Sequence, residues 1–63
     1  MRFLKLPDVQ AKIGLKKTEI YARIKAGEFP APIKLGTASR WVEDELDAWM
    51  TRVVEQSRRS PAP

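Results

Sequence analysis

Residues 14–27 read GLKKTEIYARIKAG, and the reading of this stretch decides the rest of the chain. It opens on a glycine that can hold the left-handed conformation at a helix end and closes on Ala26-Gly27, a helix stop. Between them Ile20 and Ile24, one turn apart, predict the buried stripe of a helix running from Lys16 or Lys17 to Lys25. Lys17, Thr18, Tyr21, Ala22 and Lys25 fall on the other face. Upstream, Pro7 to Ile13 (PDVQAKI) predicts one more short helix. Pro7 suits its first turn, Asp8 complements its dipole, and Leu6, Val9 and Ile13 recur at spacings of three and four. Leu15 points back into the core from the turn between the helices. Two short helices across a glycine-containing turn, the second with a polar outer face, make a helix-turn-helix.

Downstream, Phe29-Pro30-Ala31-Pro32 cannot be helical, because each proline lacks a donor and pushes its predecessor to extended geometry. Ile33-Lys34-Leu35 and Ser39-Arg40-Trp41-Val42 predict two short strands with a turn near Gly36, a hairpin placed as a wing. Glu43 to about Gln56 carries the longest helical pattern, with Leu46, Trp49, Met50 and Val53 as its apolar stripe. The expected fold is mainly α with a small β-hairpin: a winged helix-turn-helix of three helices plus a two-stranded wing. It spans residues 1–56, and 57–63 (SRRSPAP) reads as a flexible polar tail. Trp41 is expected to close the wing onto the third helix, and Phe29 to fill the gap between helix two and the wing.

The 63 residues allow one domain with a small core, and the absence of cysteine and histidine excludes disulfides and the usual zinc ligands. Met1 to Leu6 is too short and too interrupted for a signal peptide or a membrane span, so a soluble, cytoplasmic domain is expected. The net charge of +4 is unevenly spread: residues 1–40 hold nine Lys/Arg against three Asp/Glu, and residues 41–63 hold three against five. A polyanion would therefore meet the first two-thirds of the chain. Glu43, Asp44, Glu45 and Asp47 form the one carboxylate cluster, which reads as a solvated first helical turn rather than a metal or acid/base site. No catalytic residue, metal or cofactor is expected, and no enzymatic activity.

On the second helix Lys17 and Lys25 can donate to guanine or pair with phosphate, and Thr18 can hydrogen-bond a base or touch a thymine methyl. Tyr21 can stack, donate to a phosphate, or simply pack over the wing. Lys34, Ser39 and Arg40, on or beside the hairpin, can reach phosphate or the adjacent minor groove. Lys5, Lys12 and Lys16 are further candidates for clamping the backbone. The plainer alternative is a solvated amphipathic face; the wing and the charge split favour double-stranded DNA. Trp41 and Trp49 could be stacking platforms for single strands, but in so small a chain they read as core.

The order of a Leu-rich start, GLKKTEIYARIKAGEFPAPIKLG and RWVEDELDAWM resembles the AlpA family of small phage and prophage regulators. More broadly it resembles excisionase-type proteins with a MerR-like winged helix. The resemblance covers about residues 4–53 and is carried by Ile20-Tyr21, the Gly27-x-Phe29-Pro30-x-Pro32 corner, Lys34-Leu35-Gly36, and Trp41 with Trp49. It implies a DNA-binding transcriptional regulator, often of a prophage integrase or excision gene. By position, Lys17, Thr18 and Tyr21 match the family's recognition-helix polar positions, and Arg40 lies beside the matched tryptophan. Lys16 stands where a serine cap is frequent, Ala22 where an arginine is common, and Thr37-Ala38 at a tip that is often basic. One domain offers few contacts, so a homo-oligomer or cooperative copies on DNA are expected. An integrase or RNA polymerase are candidate protein partners, and a membrane is not. Two alternatives stand beside the regulator: an architectural excisionase that bends attachment-site DNA, and a protein-interaction module using the Leu4/Leu6 edge or the acidic third helix.

Overall fold

The computed structural model describes residues 1–59. Its core is assembled from one anchor per segment. Leu4 comes from β1 (Phe3–Leu4), Val9 from α1 (Leu6–Ile13) and Ile20 from α2 (Lys17–Lys25). Phe29 follows from the loop, Trp41 from β3 (Ala38–Val42) and Leu46 from α3 (Glu43–Arg59). Each fully buried side chain of this kind contributes about 1.5–3 kcal/mol. Leu6, Ile13, Leu15, Ile24 and Trp49 pack around them, half-buried. The remaining strand, β2 (Ile33–Leu35), contributes no buried residue and is held by its ladder to β3. Three helices and an antiparallel three-stranded sheet in this order are compatible with a winged helix-like fold.

The sheet has one strand more than the two-stranded wing expected from the sequence. Its order is β1-β3-β2, with Phe3 opposite Val42 and Leu4 opposite Trp41 on one side of β3. The Glu43 N–H donates to the Arg2 carbonyl at 2.8 Å, extending that pairing into the start of α3. A strand of two residues is too short to show a period of two, so only its partner far along the chain, Trp41-Val42, reveals it. On the other side Lys34 faces Ser39 and Leu35 faces Ala38, leaving Gly36-Thr37 as a two-residue loop. Gly36 has φ +66° and no non-glycine residue has positive φ, the pattern of a type II′ hairpin turn.

The helix ends follow local rules. Gly14 sits at φ +81° and its N–H donates to the Gln10 carbonyl at 2.8 Å. At the end of α2 the Glu28 N–H reaches the Arg23 carbonyl at 2.8 Å and the Gly27 N–H the Ile24 carbonyl at 3.0 Å. With Gly27 at φ +76°, these bonds make a Schellman closure. Lys16 offers no acceptor for the first turn of α2, as its sequence foretells. The Glu19 carboxylate compensates from the other direction by accepting the Lys16 N–H at 3.2 Å. Asp8 does the same for Lys5 at 3.3 Å, so both short helices start with the carboxylate half of a capping box.

The third helix runs to Arg59, so Ser57-Arg58-Arg59 belong to it and not to a polar tail; residues 60–63 lie outside the described residues. Its apolar stripe outruns the core: Leu46 is buried, but Val53 and Val54 are 41% and 45% exposed. Among the described residues no helix is long and apolar enough to cross a membrane.

Candidate nucleic-acid interface

Burial of Ile20, with Ile24 half-buried beside it, fixes the rotation of α2 about its axis. That rotation leaves Lys17, Thr18, Tyr21, Ala22 and Lys25 exposed, and the capping residue Lys16 exposed beside them. Lys17 and Lys25 lie two turns apart on one side of the helix, with Tyr21 between them. Neither Lys16, Lys17 nor Lys25 has a carboxylate within ion-pair distance among the described residues, where the ion pairs are those of Lys12. Two cations thus stand at the N-terminal, positive end of a helix dipole, offset only by Glu19. Unpaired N–H groups and cations converging at a helix start favour an anion such as phosphate.

Tyr21 joins the helix to the sheet. Its ring meets Trp41 edge-on at 6.4 Å between centroids, while the residue stays 42% exposed. The packing alternative for Tyr21 is therefore realised on one side of the ring, and the other side remains at the surface. Trp41 itself is enclosed, and its indole N–H donates to the Pro30 carbonyl at 3.1 Å. That bond ties the proline corner against the central strand and sets the hairpin beside α2.

The wing residues divide between the two faces of the sheet. Side chains alternate along β3, so Ser39 shares the face of Trp41, and Lys34, directly opposite Ser39, shares it too. The Lys34 ammonium donates to the Ser39 hydroxyl at 2.9 Å, tethering the cation above the helix-facing side of the wing. Arg40 points to the other face, next to Ile33, and one guanidinium N–H donates to the Ser39 carbonyl at 2.8 Å. Tyr21, Ser39 and Lys34 are thus brought to one side of the sheet, and Arg40 is separated from them. Strand alternation carries this split, and it follows once the pairing register is known.

One side chain takes a role other than the one the sequence suggested, and two aromatic side chains close the core. Lys12 does not stand free for a phosphate: it bridges to Asp47 at 3.0 Å and Glu43 at 3.4 Å on α3. The hydrogen bond to Asp47 raises its ammonium pKa above the ordinary 10.5, with partial desolvation opposing and the carboxylate charges adding. Half of the acidic cluster is thereby consumed in clamping α1 to α3. Phe29 is buried in the cluster that holds Ile20 of α2 and Trp41 of β3, and it also packs on Trp49 of α3, ring centroids 4.8 Å apart. The Trp49 N–H donates to the Glu28 carbonyl at 2.9 Å and the half-buried ring packs against the core, the role its place in the apolar stripe predicts.

A family model described as "Prophage CP4-57 regulatory protein (AlpA)" matches residues 2–54. A protein of Enterobacteria phage P4, the uncharacterized ORF88, is 37% identical over 59 residues, covering 92% of this chain and 67% of its own length. No solved structure matches significantly. The chain belongs to the AlpA family of prophage regulatory proteins.

Proposed function

We propose that this AlpA-family protein binds duplex DNA with α2 in the major groove and the hairpin beside it, and so regulates transcription of a phage or prophage integration or excision gene. The observation that carries the reading is the segregation of charge. Among the described residues the cations of α2 are exposed and unpaired, whereas Glu43 and Asp47 are engaged by Lys12 on another face. Lys17, Thr18 and Lys25 contact bases, with Lys16 on the flanking phosphate at the helix start. Tyr21 packs on Trp41 with one edge and meets the DNA backbone with the other. Lys34, held by Ser39, reaches phosphate from the helix-facing side of the wing. Arg40, on the opposite face, serves the adjacent stretch of backbone where the wing is straddled by a phosphate ridge. The likeness to a phage P4 protein supports the phage setting.

The test is binding of the full chain to fragments of its own host or phage DNA against random duplex over a range of salt. Sequence-preferring retention that weakens linearly in log–log form with salt supports the proposal. Equal affinity for every duplex, or none at low salt, would sink it. A footprint over tandem sites with strong bending and unchanged transcript levels would instead favour the architectural role.

A further inference from the structure

Beyond DNA recognition, the far half of α3 presents a surface that matches itself. We infer that two copies of this chain associate through an antiparallel, two-fold pairing of their α3 helices. The surface consists of Asp47, Met50, Thr51, Val54, Glu55 and Arg58, which line one shallow groove along the helix. Asp47 lies at its start, Arg58 at its end, and Met50, Thr51 and Val54 between them. Val54 is 45% exposed, and no other element of the described chain covers it. The helix continues beyond its last core-facing tryptophan for ten residues, to Arg59.

A two-fold axis through the helix midway between Asp47 and Arg58 brings each acid against the partner's base. In an antiparallel pair, positions on one flank meet the same flank of the other helix. Asp47 of one copy then faces Arg58 of the other, twice, about 16 Å apart at a rise of 1.5 Å per residue. Thr51 and Val54 interdigitate across the axis, and the Met50 side chain lies along the Glu55 stem. A parallel arrangement would instead set acid on acid and base on base. Arg58 and Glu55 have no ion-pair partner in their own chain among the described residues. Asp47 retains free lone pairs beside its bond from Lys12, because a carboxylate accepts several donors. None of these six residues belongs to α2 or the hairpin, so pairing leaves the proposed DNA surface open. Acid-first, base-last order is also what a helix dipole favours. It is the exposed Thr51–Val54 strip between the charges, with the half-buried Met50 beside it, that distinguishes a pairing surface from a merely stable helix. The contact spans only three turns, less than a standard interface, so the dimer is weak in free solution and dissociates with dilution.

Sedimentation equilibrium of the full chain, from micromolar to about millimolar concentration, tests this independently of DNA binding. The expected result is a mass that doubles as concentration rises and falls back as salt screens the flanking pairs. Asp47→Arg and Arg58→Asp are each expected to weaken association at least tenfold. Mixing the two variants should restore it, since the heterodimer regains both acid–base contacts. Arg58→Asp lies at the exposed helix end and leaves the Lys12 bridge intact, and circular dichroism separates a loss of association from a loss of helix. A chain that stays monomeric throughout, single variants that associate like wild type, or a mixture no better than its components would each overturn the pairing.

Discussion

In α3 the first turn holds Glu43, Asp44 and Glu45 and the last turn Arg58 and Arg59, whereas α2 opens on Lys16 and Lys17 and closes on Arg23 and Lys25. The third helix therefore complements its own dipole at both ends, and α2 complements it only at its C-terminus. Misplaced cations of this kind cost roughly 0.3–1 kcal/mol each at low ionic strength. Glu19 recovers part of that cost by accepting the Lys16 N–H. One helix is arranged for stability, and the other tolerates a local penalty on the face proposed to meet DNA. Sites at which local rules are broken while the surroundings obey them are where function is expected to reside.

The largest effect that sharpens this contrast concerns how each helix is held. Ile20 is fully buried and is the one buried residue of α2, so Ile20→Ala is expected to lose about 2–5 kcal/mol in chemical denaturation. Val53→Ala, on the overhanging part of α3, should stay within about 0.5 kcal/mol. Equal losses would mean that the far half of α3 is packed and that the contrast is wrong. Next come the reading positions. Thr18→Ala or Lys17→Ala should cost about 1–3 kcal/mol on the preferred DNA site and relax sequence preference, while Arg40→Ala weakens all sequences evenly. Titrations on specific and random duplex separate the two patterns.

A smaller change of opposite sign tests the penalty itself. Lys17→Glu should raise stability by roughly 0.3–1 kcal/mol at low salt while abolishing DNA binding, and adding salt should erase the gain. A destabilised variant would show that Lys17 is structural. The smallest effect belongs to the α1–α3 clamp. Because the Lys12 pKa is raised on folding, its contribution is complete below the ordinary lysine value of 10.5. It is lost as pH rises through the higher folded value. The melting-temperature difference between wild type and Lys12→Met should therefore shrink above pH 10.5 and stay flat between pH 6 and 9. A difference that grew with alkalinity would mean that the clamp is not the source of the shift.

Much of this was legible along the chain, since each helix and turn is fixed by residues within a few positions of one another. Gly14 and Gly27 end their helices where the spacing of Val9, Ile13, Ile20 and Ile24 stops, and Gly36 turns the hairpin. The exposed face of α2 followed from Ile20 and Ile24 alone, because a helix has one rotation that buries both. Less visible were features joining distant residues. Nothing near Lys12 announces Asp47, nothing near Phe29 announces Trp49, and the two residues of β1 carry no periodicity.

By itself, then, the sequence determined the three helices and the hairpin, their order, the segregation of charge and the amphipathic face that α2 presents. The tertiary structure alone decided that β1 completes the sheet, that Arg40 and Lys34 lie on opposite faces, and that Lys12 is bound to α3. The physical reason is range. Helix propensity, capping and turns act over about four residues, so they are written locally. Strand register, aromatic contacts and ion pairs between elements depend on which segments the shared core brings together, and that is settled only when the whole chain packs.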